Sequence, residues 1–377
     1  MSSSDALPDS PASDRDDAAL AIPGVLHVFV AFDWGEEVDL EHARRLVPSE
    51  PHAFPRPRRT PSSIAYRPSP LQIEPAPVTL ELAEIGVVEA RVEATVFDFA
   101  AASIALSVPF RLTPSALLGL AGSLADASVP AQAARSAAEP LFQRLLPAIQ
   151  RPQWGHTSEE YFVFAFDPGA LPPVPQLLAD RAAWLAGLVR LDPEPLVAEE
   201  IAEALRIQLR YRPTDLFVPD WAAAVLIDQD CADTLQVIEF ANLQLSEFRE
   251  IDDRLDQQLA AAYGLMHALA QRRLPFWRPQ TRQMRALGEI KVEANTMFER
   301  TSNALKLVGD QYLARVNRLL AERFHLEAWE QSIRRSLEVL EGGYQVVSDQ
   351  AAGYRAEVLE AIIAVLILVD VLTTLLG

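Results

Sequence analysis

The sequence has one cysteine, Cys231, so an intramolecular disulfide and a cysteine-built zinc cage are both excluded. It has two lysines, Lys291 and Lys306, and the other 31 of its 33 basic residues are arginines. Against them stand 52 acids, for a net charge of −19. Phosphate contacts need Lys and Arg, so nucleic acid is not an expected partner of the chain as a whole, although local basic patches are compatible with this balance. Gly-rich phosphate loops are missing: neither G-x-x-x-x-G-K-[ST] nor G-x-G-x-x-G occurs. Of the six histidines no two lie at i, i+4, and there is no H-E-x-x-H. No metal site, no cofactor and no catalytic residue is therefore named from the sequence.

Half of the 377 residues are apolar, enough for a sizeable core. Arginine in place of lysine, with abundant Ala and Leu, suggests a GC-rich bacterial genome. The N-terminus places acidic residues before its apolar run, where a secretory signal has positive charge, and lacks the Arg-rich character of a transit peptide. Residues 1–20 are expected to form a disordered acidic tail.

An α+β domain is expected over residues 21–230. Val25 to Phe32 reads as a buried strand, followed by a short helix near Leu40 to Leu46. Residues 48–77 are dense in proline, carry Arg56, Arg58 and Arg59, and read as an extended loop. Val87 to Phe97 alternates, with Val88, Ala90, Val92, Ala94 and Val96 facing one way and Glu89, Arg91 and Glu93 the other. Ile104 to Phe110 is the next strand. Pro114 to Ile149 is helical, with a break expected at Pro130. Tyr161 to Phe166 is a further strand, helices are expected near Leu177 to Leu188 and Pro195 to Leu205, and Leu216 to Val218 and Ala222 to Ile227 close the sheet. This order predicts a mostly antiparallel sheet with helices. Cys231 falls at a strand-to-helix junction and reads as a structural thiol.

From Ala232 helical periodicity takes over. Leu326, Trp329, Ile333, Leu337, Leu340, Tyr344, Val347, Ala351, Tyr354 and Val358 form one seam with a mean step of about 3.6. Leu305, Val308, Tyr312, Val316 and Leu319 line a helix before it, and Leu255, Leu259, Ala262, Met266 and Leu269 an earlier one. Short turns at Arg272–Pro279 and Arg323–Leu326 make these an antiparallel three-helix stalk over residues 231–357. Asn242 sits in the apolar side of the first helix and reads as a register-fixing residue. Glu247, Glu250, Asp252, Asp253 and Asp256 on the same helix read as a solvated face, with Glu250 and Arg254 as an i, i+4 pair.

The stretch from Ala361 to Gly377 reads AIIAVLILVDVLTTLLG and has one charge, Asp370. As a helix it is about 25 Å long, and with Val358 included it approaches the hydrocarbon thickness of about 30 Å. Residues 358–377 are expected to be a single C-terminal transmembrane anchor. In such a helix Asp370 is expected to bond to Thr373 or Thr374 in its protonated form, to reach the far interface, or to pair with the same residue of another subunit, the last being favoured. Antiparallel helices would also bring the turn with Arg272, Arg273, Phe276, Trp277 and Arg278 to the lipid headgroups as a second membrane contact, the alternative being that Phe276 and Trp277 cap the core of the hairpin itself. Arg334, Arg335 and Arg355 precede the span and nothing positive follows it, which places the body in the cytoplasm, at the inner membrane.

Three blocks carry a family resemblance: VIEFANLQLSEFREIDDRLD (237–256), ERTSNALKLVGDQYLARVNRLLAERFHLEAWE (299–330) and SLEVLEGGYQVVSDQAAGYRAEVLEAIIAVLILVDVL (336–372). In order, and with an acid-bearing final helix, they resemble the family named for "required for meiotic nuclear division", the Rmd and YagE group. The resemblance implies a membrane-anchored protein with no established catalytic activity, whose eukaryotic members act in mitochondria in connection with translation. Here arginines stand in the helix turn where many members have acids.

The expected function is therefore that of a membrane-anchored scaffold or adaptor, facing the cytoplasm, homo-oligomeric, with the bilayer and an unidentified protein as partners. The alternatives are an RNA or ribosome tether using Arg56, Arg58, Arg59 and the helix-turn arginines, and an enzyme whose site is assembled within the N-terminal domain.

Overall fold

A computed structural model describes residues 21–47, 64–66, 68–126, 128–155, 158–271, 292, 295–296, 298–299, 305–307 and 311–376. The chain forms two compact units: residues 1–247 with 301–326, and residues 248–300 with 327–377.

The first unit is built on an eight-stranded sheet. Its strands are β1 (Ile22–Asp33), β4 (Leu71–Ile73), β5 (Val78–Leu82), β6 (Gly86–Val96), β7 (Ala101–Leu112), β9 (Ser158–Phe166), β10 (Leu216–Pro219) and β11 (Ala223–Ile227). They lie in the order β10-β11-β9-β1-β7-β6-β4, with β5 also paired to β6. Every pair is antiparallel except β9 with β11. The short helix read after the first strand is present as α1 (Leu40–Leu46), capped by the Asp39 carboxylate. The parallel pair needs a crossover, which is supplied by α4 (Val174–Asp180), α5 (Ala182–Arg190) and α6 (Ala198–Ala204). Two short ladders lie outside the sheet: β2 (Glu37–Val38) with β8 (Ile149–Gln150), and β3 (Ile64–Tyr66) with β12 (Leu305–Leu307). The mixed α+β class and the antiparallel-dominated sheet agree with the sequence reading.

The two-residue alternation explains how the sheet is covered on both faces. Leu26, Val28, Val30 and Phe32 of β1, Ile104 and Leu106 of β7, Ala90 and Val92 of β6, and Phe162 and Phe164 of β9 fill one face. Against them pack Leu117 and Leu120 of α2 (Pro114–Ser123), Ala134, Ala138 and Leu141 of α3 (Ser128–Leu145), and Leu185 and Leu188 of α5. On the opposite face Ala31, Phe97, Phe99 and Ala101 meet Phe240 and Leu243, which belong to the start of α7 (Ala232–Gln271). Helix α8 (Gln311–Arg323) returns to this same unit, and the ring of Phe324 just beyond it packs edge-on to Tyr161 of β9 at 5.1 Å.

One glycine is fixed by the crowding of β1 between its neighbours. A Cβ on Gly24 would stand 2.5 Å from Phe110 Cζ and 2.8 Å from the carbonyl oxygen of Ala165. Gly24→Ala is expected to cost about 1–3 kcal/mol by overpacking. The check is a lower urea midpoint at unchanged denaturant slope; an unchanged midpoint would mean that the Phe110 ring yields freely.

Several expectations are corrected. The proline-rich stretch 48–77 is not all loop, since Ile64–Tyr66 and Leu71–Ile73 are strands. The helical break falls not at Pro130 but at Leu124–Asp126, and Pro130 sits in the first turn of α3, where the missing N–H costs no intrahelical bond. Leu305 does not open a helix: residues 305–307 pair with 64–66, and the buried row of α8 is Leu313, Val316 and Leu320. Asn242 does not act within a helical seam. Its Nδ2 donates to the carbonyl oxygens of Glu159 (3.0 Å) and Phe29 (3.4 Å), tying α7 to the sheet backbone. Nor is the acidic run a solvated face throughout, because Glu247 and Glu250 are buried.

In the second unit Phe248 meets Phe298 with ring centroids 5.7 Å apart, and the Arg334 guanidinium lies 4.9 Å from the centre of the Phe298 ring. The Arg254–Glu250 pair forms as read, at 3.0 Å. Helix α9 runs from Leu326 to Leu376. Leu326, Ile333 and Leu340 of its seam are buried.

Candidate functional site

Two buried polar clusters and one exposed apolar surface stand out. The first cluster surrounds Asp220, in the turn between β10 and β11. Its side chain is 3% exposed and accepts from the backbone N–H of Trp221 at 2.8 Å. Arg190 Nε lies 3.1 Å from Oδ2, and Arg323 Nη1 lies 3.8 Å from Oδ1. Burial pushes the Asp220 carboxyl above its ordinary value, while the Trp221 N–H and the two arginines pull it back. Arg323 also reaches Glu203 Oε1 at 3.2 Å and donates to the carbonyl oxygens of Glu203 (2.9 Å) and Pro219 (3.3 Å). The Tyr161 hydroxyl donates to the carbonyl oxygens of Asp220 (3.0 Å) and Ala223 (3.1 Å). Its ionisation is pushed well up, chiefly by burial. The two arginines and two acids neutralise one another and bind α5, α6, the β10–β11 turn and the end of α8 together. The arrangement is a clamp that holds these four elements together.

The second cluster lies where α7 crosses the sheet. Strand register sets Thr95, Ser103 and Ala31 in one row across β6, β7 and β1, with Glu93, Ala105 and Phe29 in the next. Glu239 of α7 faces this strip. Burial pushes its carboxyl up to about 7; the Ser103 and Thr95 hydroxyls pull it down and Glu93 adds repulsion. Two rows on, His27 Nδ1 and Ser107 Oγ are 2.9 Å apart. Burial lowers the His27 imidazole to about 4, so it is neutral near pH 7. Cys231 stands between β11 and α7, its Sγ 3.4 Å from the carbonyl oxygen of Asp228. Burial, with Asp228 and Asp230, pushes the thiol up to about 12, the reverse of what a nucleophile needs. Among the described residues no three His, Cys, Asp or Glu side chains converge as metal ligands would.

The residues singled out from the sequence lie elsewhere. Arg272, Arg273, Phe276, Trp277 and Arg278 are outside the described residues. Asp370 is within α9, and its side chain is outside the described ones. Around it α9 exposes Ile362, Ile363, Val365, Leu366, Ile367, Val371 and Leu372, each about half exposed or more. Among the described residues no helix is long and apolar enough to cross a membrane. The expected transmembrane helix is thus not found in the described part of the fold. Asp220, Arg190, Arg323, Glu203 and Glu239 were missed by sequence reading, because their partners are brought together only by strand order.

With the sheet, its helical covers and these clusters in view, the comparison with known proteins falls on the first unit. The family defined as "Uncharacterized protein MJ0711, N-terminal domain" matches residues 23–234, more than half of the chain. The chain belongs to this family. It is also similar to Uncharacterized protein MJ0711 of Methanocaldococcus jannaschii, with 22% identity over 239 residues, 63% of this chain and 72% of the archaeal protein. No solved structure matches it.

These matches overturn the resemblance to the "required for meiotic nuclear division" family. The shared family lies in the sheet domain, whereas the blocks that suggested the other family lie in the helical part. Long amphipathic helices repeat apolar and charged residues at the same few spacings whatever their ancestry, so likeness there discriminates poorly.

Proposed function

We propose that this protein is a membrane-attached adaptor that presents its α+β unit at a bilayer surface and works as a self-associating assembly. The observation that carries this reading is the set of bare aliphatic side chains Ile362, Ile363, Val365, Leu366, Ile367, Val371 and Leu372 on α9. A contiguous patch of this kind marks a surface that water does not normally cover. In sequence it continues through Ala361, Leu368, Val369 and Leu375, which completes a length suited to hydrocarbon. Arg334, Arg335 and Arg355 before it favour a cytoplasmic body at the inner membrane. Asp370, one acid in an apolar run, favours pairing between copies in lipid. The buried clamp at Asp220 and the raised Cys231 thiol fit a unit used for binding.

The test is fractionation of the full chain, without detergent, against Ile363→Asp/Leu366→Asp. Each Asp at mid-helix costs about 2.5–3.5 kcal/mol on insertion. The wild type is expected in the membrane pellet, resistant to alkaline extraction, and the double variant in the supernatant. A wild-type chain found in the supernatant as a monomer would end the proposal.

A further inference from the structure

We infer that the surface of α8, with the segment Arg210–Arg212 and Trp221 beside it, is a binding face for single-stranded nucleic acid. Of the large apolar side chains that the described part of the first unit exposes, the aromatic ones are Tyr211, 68% exposed, and Trp221, 44% exposed. Both adjoin α8. Tyr211 packs on Tyr312 at the start of the helix, with ring centroids 5.7 Å apart. Trp221 packs on Phe324 and His325 just past its end, at 6.4 and 6.1 Å. Strand register accounts for this placement. Leu209 bridges Phe217 of β10, the edge strand, so that the 209–212 segment and the β10–β11 turn flank α8 from its two ends.

In sequence between the positions these aromatics touch, α8 exposes Arg315 and Arg318, and Arg210 and Arg212 flank Tyr211. None of these four arginines forms an ion pair with another described residue, whereas Arg206 and Arg323 nearby are held by Glu203, and Arg206 also by Glu322. Asp228 and Asp215 lie toward the Tyr312 hydroxyl, which hydrogen-bonds with Thr234. In a chain of net charge −19, these are four exposed arginines without an ion pair among the described residues, beside α8 and on it. From Tyr312 to Phe324 the helix advances about 18 Å. Arginines between two stacking platforms match a strand of phosphates whose bases are free, and the usual footprint begins at about four nucleotides. Duplex bases are already stacked and offer the platforms nothing. No exposed aliphatic side chain among the described residues joins Tyr211 and Trp221, which favours a polynucleotide over lipid headgroups at this face.

The test is fluorescence anisotropy of labelled oligouridine, about a dozen nucleotides long, with the full chain in mild detergent. Binding is expected to fall with salt. Arg315→Gln/Arg318→Gln should weaken it at least about tenfold and reduce the log–log salt slope by about 1.4, since single-strand contacts contribute about 0.7 each. Tyr211→Ala should weaken it about tenfold through lost stacking. All three side chains are solvent-facing, and unchanged circular dichroism checks that folding is intact. The inference is overturned by absence of binding, by equal binding of a duplex or of poly-glutamate, or by variants that bind like the wild type. It is overturned as well if phosphatidylglycerol vesicles, and not oligouridine, lose affinity on the arginine substitutions.

Discussion

Arg323→Met is expected to destabilise the first unit by about 3 kcal/mol, the low end of the cost of removing one partner from a buried charge pair. Its side chain is 10% exposed and touches five groups: the Glu203 and Asp220 carboxylates and the carbonyl oxygens of Pro219, Glu203 and Ala204. Substitution leaves Asp220 with Arg190 and the Trp221 N–H but strands the carbonyls. The low end is chosen because Arg190 remains. Asp220→Asn in the same background should recover part of the loss, because the uncompensated charge has gone. A double-mutant cycle in urea should give a coupling of at least about 1 kcal/mol for groups this close. If Arg323→Met costs under about 1 kcal/mol, the clamp is a solvated pair of the ordinary surface kind.

Glu239→Gln is expected to have its largest effect in alkali. The Glu239 carboxyl is held up to about 7 in the folded protein, chiefly by burial. A carboxyl raised above its unfolded value contributes stability that is present in full below about pH 4.5 and is lost as pH rises through about 7. Gln cannot ionise, so the variant should match the wild type near pH 4.5 and exceed it at pH 8.5 by about 2–3 kcal/mol. His27 works in the other direction. Its imidazole is lowered to about 4, so it removes stability as pH falls below about 6.5. Between about pH 4.5 and 6.5 the two slopes oppose each other, from about 6.5 to 7 only the Glu239 slope remains, and above that the difference between variant and wild type is constant. Parallel pH profiles for variant and wild type from about pH 4.5 to 7 would show that Glu239 is ionised and solvated.

The strands with a clean period of two were legible. Glu89, Arg91 and Glu93 mark the face of β6 turned from the main core, and the apolar positions between them are buried as read. VLHVFVAF and YFVFAF stand out because these strands are buried on both sides. Strands β4 and β5 were hidden by the prolines around them, since Pro68, Pro70, Pro75 and Pro77 dominate any local reading. Sheet order was not legible, because no local signal says that β1 takes β7 and β9 as neighbours. The polar clusters depend on that order: Asp220 meets a helix residue about a hundred positions later, and Glu239 meets Thr95 and Ser103 across more than that. A lone acid on a helix carries no mark of such company. The helical seam of α9 was legible over Leu326 to Leu340, whereas in α8 the buried row is turned by one residue, because the packing partner is a sheet.

The position of β1 shapes how the chain is made. It leaves the ribosome first among the strands, yet its neighbours β7 and β9 begin at Ala101 and Ser158. The face around Tyr161 receives Phe324 only when more than three hundred residues have been synthesised. Pairings this distant form slowly, and throughout that wait the strand's apolar side chains and open edges are available to other nascent chains. Production of this protein therefore depends on whatever shields newborn polypeptide from aggregation, and low temperature or added holdase chaperones should raise the yield of folded material more than any change in promoter strength.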